Sequence, residues 1–327
     1  MKKVLGIGNA LVDVMTILDN DEVLKRLSFP KGSMQLVDHK LSNRIKEETA
    51  NFVDRLASGG SAANTIHGLA KLGVRTGFIG SIGNDSTGDI FENDMKGAGV
   101  KTHLLRKTME TGTAVAMITS DSERTFATHL GAATELGGED LTPELFNGYD
   151  FFYMEGYLIN NIELVRRACK LAKEAGLKIV IDLASFNVVD AFINDFREII
   201  EKYVDIVFAN EEEARSFTGL GPQEALSMLG SKCEIAIVKI GKDGSLIKRG
   251  SEEIRIQSYD VQSLDTTGAG DLYAAGFLYG LAEGDSLKKC GQLGTLLAGH
   301  VIEVFGPKMD DEKWERIIGE IQNIKND

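Results

Sequence analysis

Cysteine is scarce and scattered in this sequence. Cys169, Cys233 and Cys290 are odd in number, far apart and without metal-ligand spacing. That excludes a disulfide framework and fits buried thiols in a reducing compartment. Proline is nearly as rare, four in 327 residues, and there is no Pro/Gly linker, repeat or low-complexity tract. Two domains in tandem are not expected; the composition suits one large domain over 1–327. Long apolar runs are missing, so no membrane span is expected. Lys2 and Lys3 precede an apolar stretch as in a leader peptide, but Asn9 and Asp13 interrupt it and no cleavage site follows. A cytoplasmic protein is the expectation. Net positive charge is absent as well: 49 acids against 36 bases give −13. That argues against a broad nucleic-acid surface, although backbone amides and a metal can still hold a phosphate. The five histidines have no H-E-x-x-H spacing.

What is present is an alternation. Apolar runs at 4–8, 76–82, 151–156, 178–183, 205–209 and 235–240 read as strands covered on both faces. Helical patterns such as 162–175 lie between them. This order predicts an α/β fold: a doubly wound, mostly parallel sheet with helices on both faces. At the end, Trp314, Ile317, Ile318, Ile321 and Ile324 are spaced as one face of a terminal helix. Residues 16–52 and 102–130 break the alternation, and they are expected to form a small discontinuous lid.

In a doubly wound sheet, ligands bind beyond the carboxyl ends of the strands. Those ends carry Gly8, Asn9 and Asp13, then Asp182, then Asn210 with Glu211, Glu212 and Glu213, then Gly241 to Gly244. Any one of these is unremarkable as the start of a loop, but together they suit a metal–phosphate site.

The most informative string is Asp265-Thr266-Thr267-Gly268-Ala269-Gly270-Asp271, followed by an apolar helix. Its glycines stand at a helix N-terminus, where amides lack partners and the dipole is positive. The amides of Gly268, Ala269 and Gly270 are therefore candidates for an anion hole. Asp271, in the first turn, is the candidate catalytic carboxylate. Phosphoryl transfer asks mainly for positioning and charge neutralisation, and a weak base suffices if the alcohol loses its proton late. Walker A is excluded because Asp243 follows Gly241-Lys242. The run Ile235-Ala236-Ile237-Val238-Lys239 lacks the companions of a protein-kinase strand. Gly6-Ile7-Gly8 lacks the third glycine of a dinucleotide fingerprint.

The seven-residue string matches a signature of the PfkB, or ribokinase-like, carbohydrate and nucleoside kinases. The family's other signature matches Gly59-Gly60-Ser61-Ala62-Ala63-Asn64, with Gly80-Ser81-Ile82-Gly83-Asn84-Asp85 following. Its N-x-x-E element matches Asn210 and Glu213. The resemblance runs from Gly8 to about Gly306. Within the family, the chain is most similar to adenosine kinases.

By that resemblance, Asp271 is the catalytic base beside Gly268, Ala269 and Gly270. Asn210 and Glu213 act on Mg²⁺ through water and on the nucleotide phosphates. Gly241, Gly244 and Asp265 belong to the nucleotide side; Lys239 is given no role. Asn9, Asp13, Gly59, Gly60, Ser61 and Asn64 match acceptor-binding positions, and Arg124 closes from the lid. ATP and Mg²⁺ are the implied cofactors, with a monovalent cation left open, as is the choice between monomer and homodimer. The implied acceptor is a small molecule: a nucleoside, adenosine first, or alternatively a sugar. A non-catalytic binding protein on the same fold is the remaining alternative. Where adenosine kinases carry two adjacent phenylalanines, Tyr157-Leu158 follow Gly156. Leu36 and Phe186 are read as core, or as part of an apolar pocket.

Overall fold

A computed structural model describes residues 1–31, 33–119, 124–259 and 261–326, and of Met34, Asp54 and Arg124 only the backbone. The described strands, in chain order, are β1 (Val4–Ile7), β2 (Leu11–Ile17), β3 (Met34–Leu36), β4 (Val53–Gly59), β5 (Thr76–Gly83), β6 (Lys101–Lys107), β7 (Thr111–Ile118), β8 (Arg124–Gly131), β9 (Phe151–Glu155), β10 (Lys178–Asp182), β11 (Ile206–Asn210), β12 (Ile235–Lys239), β13 (Ser245–Arg249) and β14 (Glu252–Ile256).

Among the described residues, nine strands form one sheet in the order β14-β13-β12-β11-β10-β9-β1-β5-β6. From β6 to β12 the neighbours run parallel, and β13 and β14 close the edge as an antiparallel hairpin. The central strands β1, β5 and β9 are buried along their whole length. Their side chains alternate between two layers. Leu5, Ile7, Phe152 and Met154 face one core, whereas Val4, Phe78, Phe151 and Tyr153 face the other. This explains why unbroken apolar runs were legible as doubly covered strands. The fold is the expected ribokinase-like one.

A second, five-stranded sheet has the order β3-β8-β7-β2-β4. It draws on chain segments far apart in sequence, and the helices Glu22–Leu27 and His39–Thr49 lie within it in sequence. Its strands start at Leu11 and reach Gly59 and Gly131. Residues 102–107, expected in the irregular part, instead belong to β6, parallel to β5 on the large sheet. β6 is an edge strand whose residues are half-buried or exposed, so it has no apolar run to read.

Helix Ala269–Glu283 is buried on nearly every side. It lies against helix Ser61–Lys71 at Gly68, where an added Cβ would stand 2.9 Å from Leu272 and 3.1 Å from Ala275. This close approach brings the two helix beginnings together. The terminal helix Asp311–Asn326 docks through Trp314, Ile317 and Ile321, while Ile318 is 43% exposed and lies off the expected face. Leu36 and Phe186 are also exposed, at 73% and 42%, so neither is a core residue. All three cysteines are buried and free.

Candidate active site

The turn before helix Ala269–Glu283 pivots on Gly268, which sits at φ +79° with a backbone that disfavours side chains. An added Cβ there would come within 2.7 Å of Pro307. Asp265 explains the turn's stability. Its Oδ1 accepts from Thr267 N–H at 3.0 Å and its Oδ2 from Gly306 N–H at 2.6 Å. The head of the string thus ties the Gly turn to the 305–309 loop. The open amides differ slightly from expectation. Ala269 N–H turns back to Thr266 O at 3.2 Å. Among the described residues, the N–H groups of Gly268, Gly270 and Asp271 have no protein acceptor, as the start of a helix dictates.

Asp271 is held by the first turn of the neighbouring helix. Ser61 Oγ donates to Oδ1 at 2.7 Å and Asn64 Nδ2 to Oδ2 at 3.0 Å. Two helix N-termini therefore converge on one carboxylate, and both dipoles favour negative charge there. Burial pushes Asp271 up to about 6; the Asn64 and Ser61 bonds oppose this, Asp182 adds to it and Lys239 opposes it. Asp271 is thus ionised at neutral pH but more basic than an exposed aspartate.

The Gly59-Gly60 pair makes room. At Gly59 a Cβ would collide with the Asp13 carboxylate. Gly60 sits at φ +96°, and a Cβ there would strike the Asn9 carbonyl. Asp13 lies on β2, and burial raises it to about 7, with Lys308 pulling it down and Asp271 pushing it up. Asn9 faces Glu155 at the end of β9. The Glu155 carboxylate accepts from Asn9 N at 3.0 Å, Asn9 Nδ2 at 2.6 Å and Ala62 N at 2.8 Å. Asn9, Asp13, Ser61, Asn64 and Asp271 thus gather at one edge of the sheet.

Farther along that edge, Asn210 and Glu213 form a reciprocal capping box. Glu213 N–H donates to Asn210 Oδ1 at 2.8 Å, and Glu213 Oε2 and Oε1 each accept from Asn210 at 2.7 Å. Burial raises Glu213 to about 7, Asp182 adds to this and Lys239 opposes it. Lys239 Nζ bonds Asp182 Oδ2 at 2.7 Å and would lie 3.1 Å from a Cβ on Gly270. An oxygen donor set of this kind suits a hard cation such as Mg²⁺. Because Asn210 and Glu213 already bond each other, a hydrated ion fits better than a directly ligated one. Gly241 and Gly244 flank β12 and β13 at φ +56° and +92°, and a Cβ on Gly244 would collide with Ile256 O. Arg124 contributes backbone to β8, and its side chain lies outside the described residues.

The sequence matches the model of the pfkB family carbohydrate kinases over residues 36–314. The chain belongs to that family. The crystal structure of adenosine kinase from Sinorhizobium meliloti is 35% identical, covering 98% of this chain and 99% of that one, with a TM-score of 0.87. A probable sugar kinase from Rhizobium etli is 34% identical over 99% of both chains, with a TM-score of 0.89. The 5-dehydro-2-deoxygluconokinase of Bacillus velezensis is 31% identical over 286 residues, 80% of this chain and 83% of that protein. The chain is a kinase, and its relatives act on both nucleosides and sugars.

Sequence reasoning missed three side chains beside this candidate site. Glu155 ends a strand without belonging to a motif. Lys239 was given no role because it departs from the residue that the family resemblance leads one to expect there; its pairing with Asp182 spans 57 positions. Lys308 lies in the loop that Asp265 ties down. Its side chain is 10% exposed, its ammonium has no hydrogen-bond partner among the described residues, and its nearest carboxylate, Asp94, is 4.0 Å away. Desolvation lowers Lys308 to about 8, and Asp94, Asp13 and Asp271 oppose this. No local pattern announces such a residue. Among the described residues no helix is long and apolar enough to cross a membrane.

Proposed function

We propose that this kinase moves the γ-phosphoryl group of ATP to a hydroxyl of a nucleoside, adenosine first, with Asp271 as the base. The observation that carries the reading is the Asp271 carboxylate, held by Ser61 and Asn64 beside three open amides and within the field of Asp13. The acceptor hydroxyl gives its proton to Asp271 as its oxygen bonds to phosphorus. The open N–H groups of Gly268, Gly270 and Asp271 face the charge that builds on the migrating group. Asp13 accepts from a vicinal diol, which a carboxylate does with both oxygens. Lys308 is a positioning residue that favours the ionised form of Asp13. Asn210 and Glu213 would hold Mg²⁺ through water, and that ion would offset phosphate charge. The second sheet acts as the lid that limits water access.

A sugar acceptor is the second reading. Tyr157-Leu158 stands where adenosine kinases have two phenylalanines, and Leu36 and Phe186 are exposed, so a base-stacking wall is not evident in them. ADP release with a panel of nucleosides and sugars separates the two. Adenosine should give the highest kcat/KM. Turnover confined to sugars would replace the first reading with the second, and turnover with neither would remove both.

A further inference from the structure

Far along the chain from the Gly turn, three ligand-type side chains meet on the second sheet. His39 opens helix His39–Thr49, Glu110 directly precedes β7, and His129 lies on β8 opposite Thr113. One ligand atom from each lies within 4.8 Å of the other two. Glu110 Oε1 is 3.0 Å from His39 Nδ1 and 3.4 Å from His129 Nδ1. Tetrahedral ligands about 2.0–2.1 Å from a zinc ion stand roughly 3.3 Å apart, so these two separations already suit a shared ion.

His129 supplies the independent sign of a ligand. It is 5% exposed, and its Nδ1 is buried without a hydrogen-bond partner. A buried polar atom left in that state is costly unless something else satisfies it. Desolvation also lowers the basicity of His129, which keeps the ring neutral and able to donate a lone pair. His39 is largely exposed and offers an entry route. Lys46 Nζ stands 3.3 Å from Glu110 Oε2 and turns the other oxygen toward the rings.

We propose that His39, Glu110 and His129 form a site for one divalent transition metal of the zinc class, which pins helix His39–Thr49 to β7 and β8. The charge balance selects the metal. Lys46 already offsets Glu110, so a hard cation held by charge gains little. An ion held by imidazole nitrogen gains more. Water completes the coordination. Binding through His39 Nδ1 moves the ring proton to Nε2, which then needs an acceptor. Asn43, whose Nδ2 lies 3.0 Å from Nε2, supplies one by turning its amide so that Oδ1 accepts.

The test is a titration of the full chain with zinc chloride against a chromophoric chelator, alongside thermal unfolding. The parent should bind one equivalent at this site with micromolar or tighter affinity and unfold at higher temperature with zinc than with EDTA. Millimolar magnesium should not displace it. His39→Ala lies on the surface and should fold normally, yet lose at least tenfold in affinity and lose the thermal shift. His129→Asn should behave alike. Equal zinc affinity in His39→Ala and the parent would overturn the proposal, as would no saturable binding by the parent.

Discussion

Replacing Lys308 by methionine should stabilise the protein while harming catalysis. The ammonium is buried, unbonded and lowered from its ordinary 10.5 to about 8. Below pH 8 both folded and unfolded chains carry the charge, and the folded chain bears the full desolvation cost. At ~1.36 kcal/mol per pH unit, that cost is about 3 kcal/mol at pH 7. It shrinks as pH rises, because the folded chain releases its proton first, and should be about 1 kcal/mol at pH 9.5. Methionine has similar length and no charge, so Lys308→Met recovers most of this. Thermal unfolding should show a rise of roughly 5 °C at pH 7, taking ~2 °C per kcal/mol for a large domain, and a smaller rise at pH 9.5. Asp13 then loses the cation that opposes its protonation. The acceptor KM should increase at pH 7, and the acid limb of kcat/KM should move to higher pH. An unchanged or lower unfolding temperature at pH 7 would refute the claim that this charge is desolvated. An unchanged pH profile would refute its link to Asp13.

Two further outcomes follow from the same geometry. Asp271→Asn should keep the fold and nucleotide affinity but lower kcat by about 10²–10⁴; in the parent, kcat should fall as pH drops through about 6, where Asp271 takes up its proton. Near-normal turnover in the variant by coupled ADP assay would remove Asp271 from the role of base. Asp13→Asn should raise the acceptor KM at least tenfold with the ATP KM unchanged, and steady-state kinetics that show both constants unaltered would remove Asp13 from the acceptor side.

The convergence of two helix beginnings on Asp271 gives this site its character. Each helix start contributes unsatisfied amides, and each is set by a glycine at positive φ. Gly60 and Gly268 are therefore not flexible joints. They hold turns with no room for a side chain, since an added Cβ would strike Asn9 or Pro307. The same edge holds a chain of buried charges, from Asp13 and Lys308 through Asp271 to Lys239, Asp182 and Glu213. Asp13, Asp271 and Glu213 are raised and Lys308 is lowered. Groups moved toward neutrality in this way are common where protons and phosphates are handled.

The amino-acid order by itself determined the parallel core, because runs such as 151–155 and 178–182 are apolar on both sides of the pleat. It also determined the Gly turn ahead of an apolar helix, since a dipole and open amides follow from local backbone alone. The edge strands β6 and β14 were hidden, because half-exposed residues carry no apolar run. Only the tertiary structure decided that Ser61 and Asn64 grip Asp271 across 210 and 207 positions. It alone placed Lys308 against Asp94, Glu155 beneath Asn9 and Lys239 beside Gly270. Burial and the field of distant charges set how a side chain ionises, and neither is a property of the residue's neighbours in sequence.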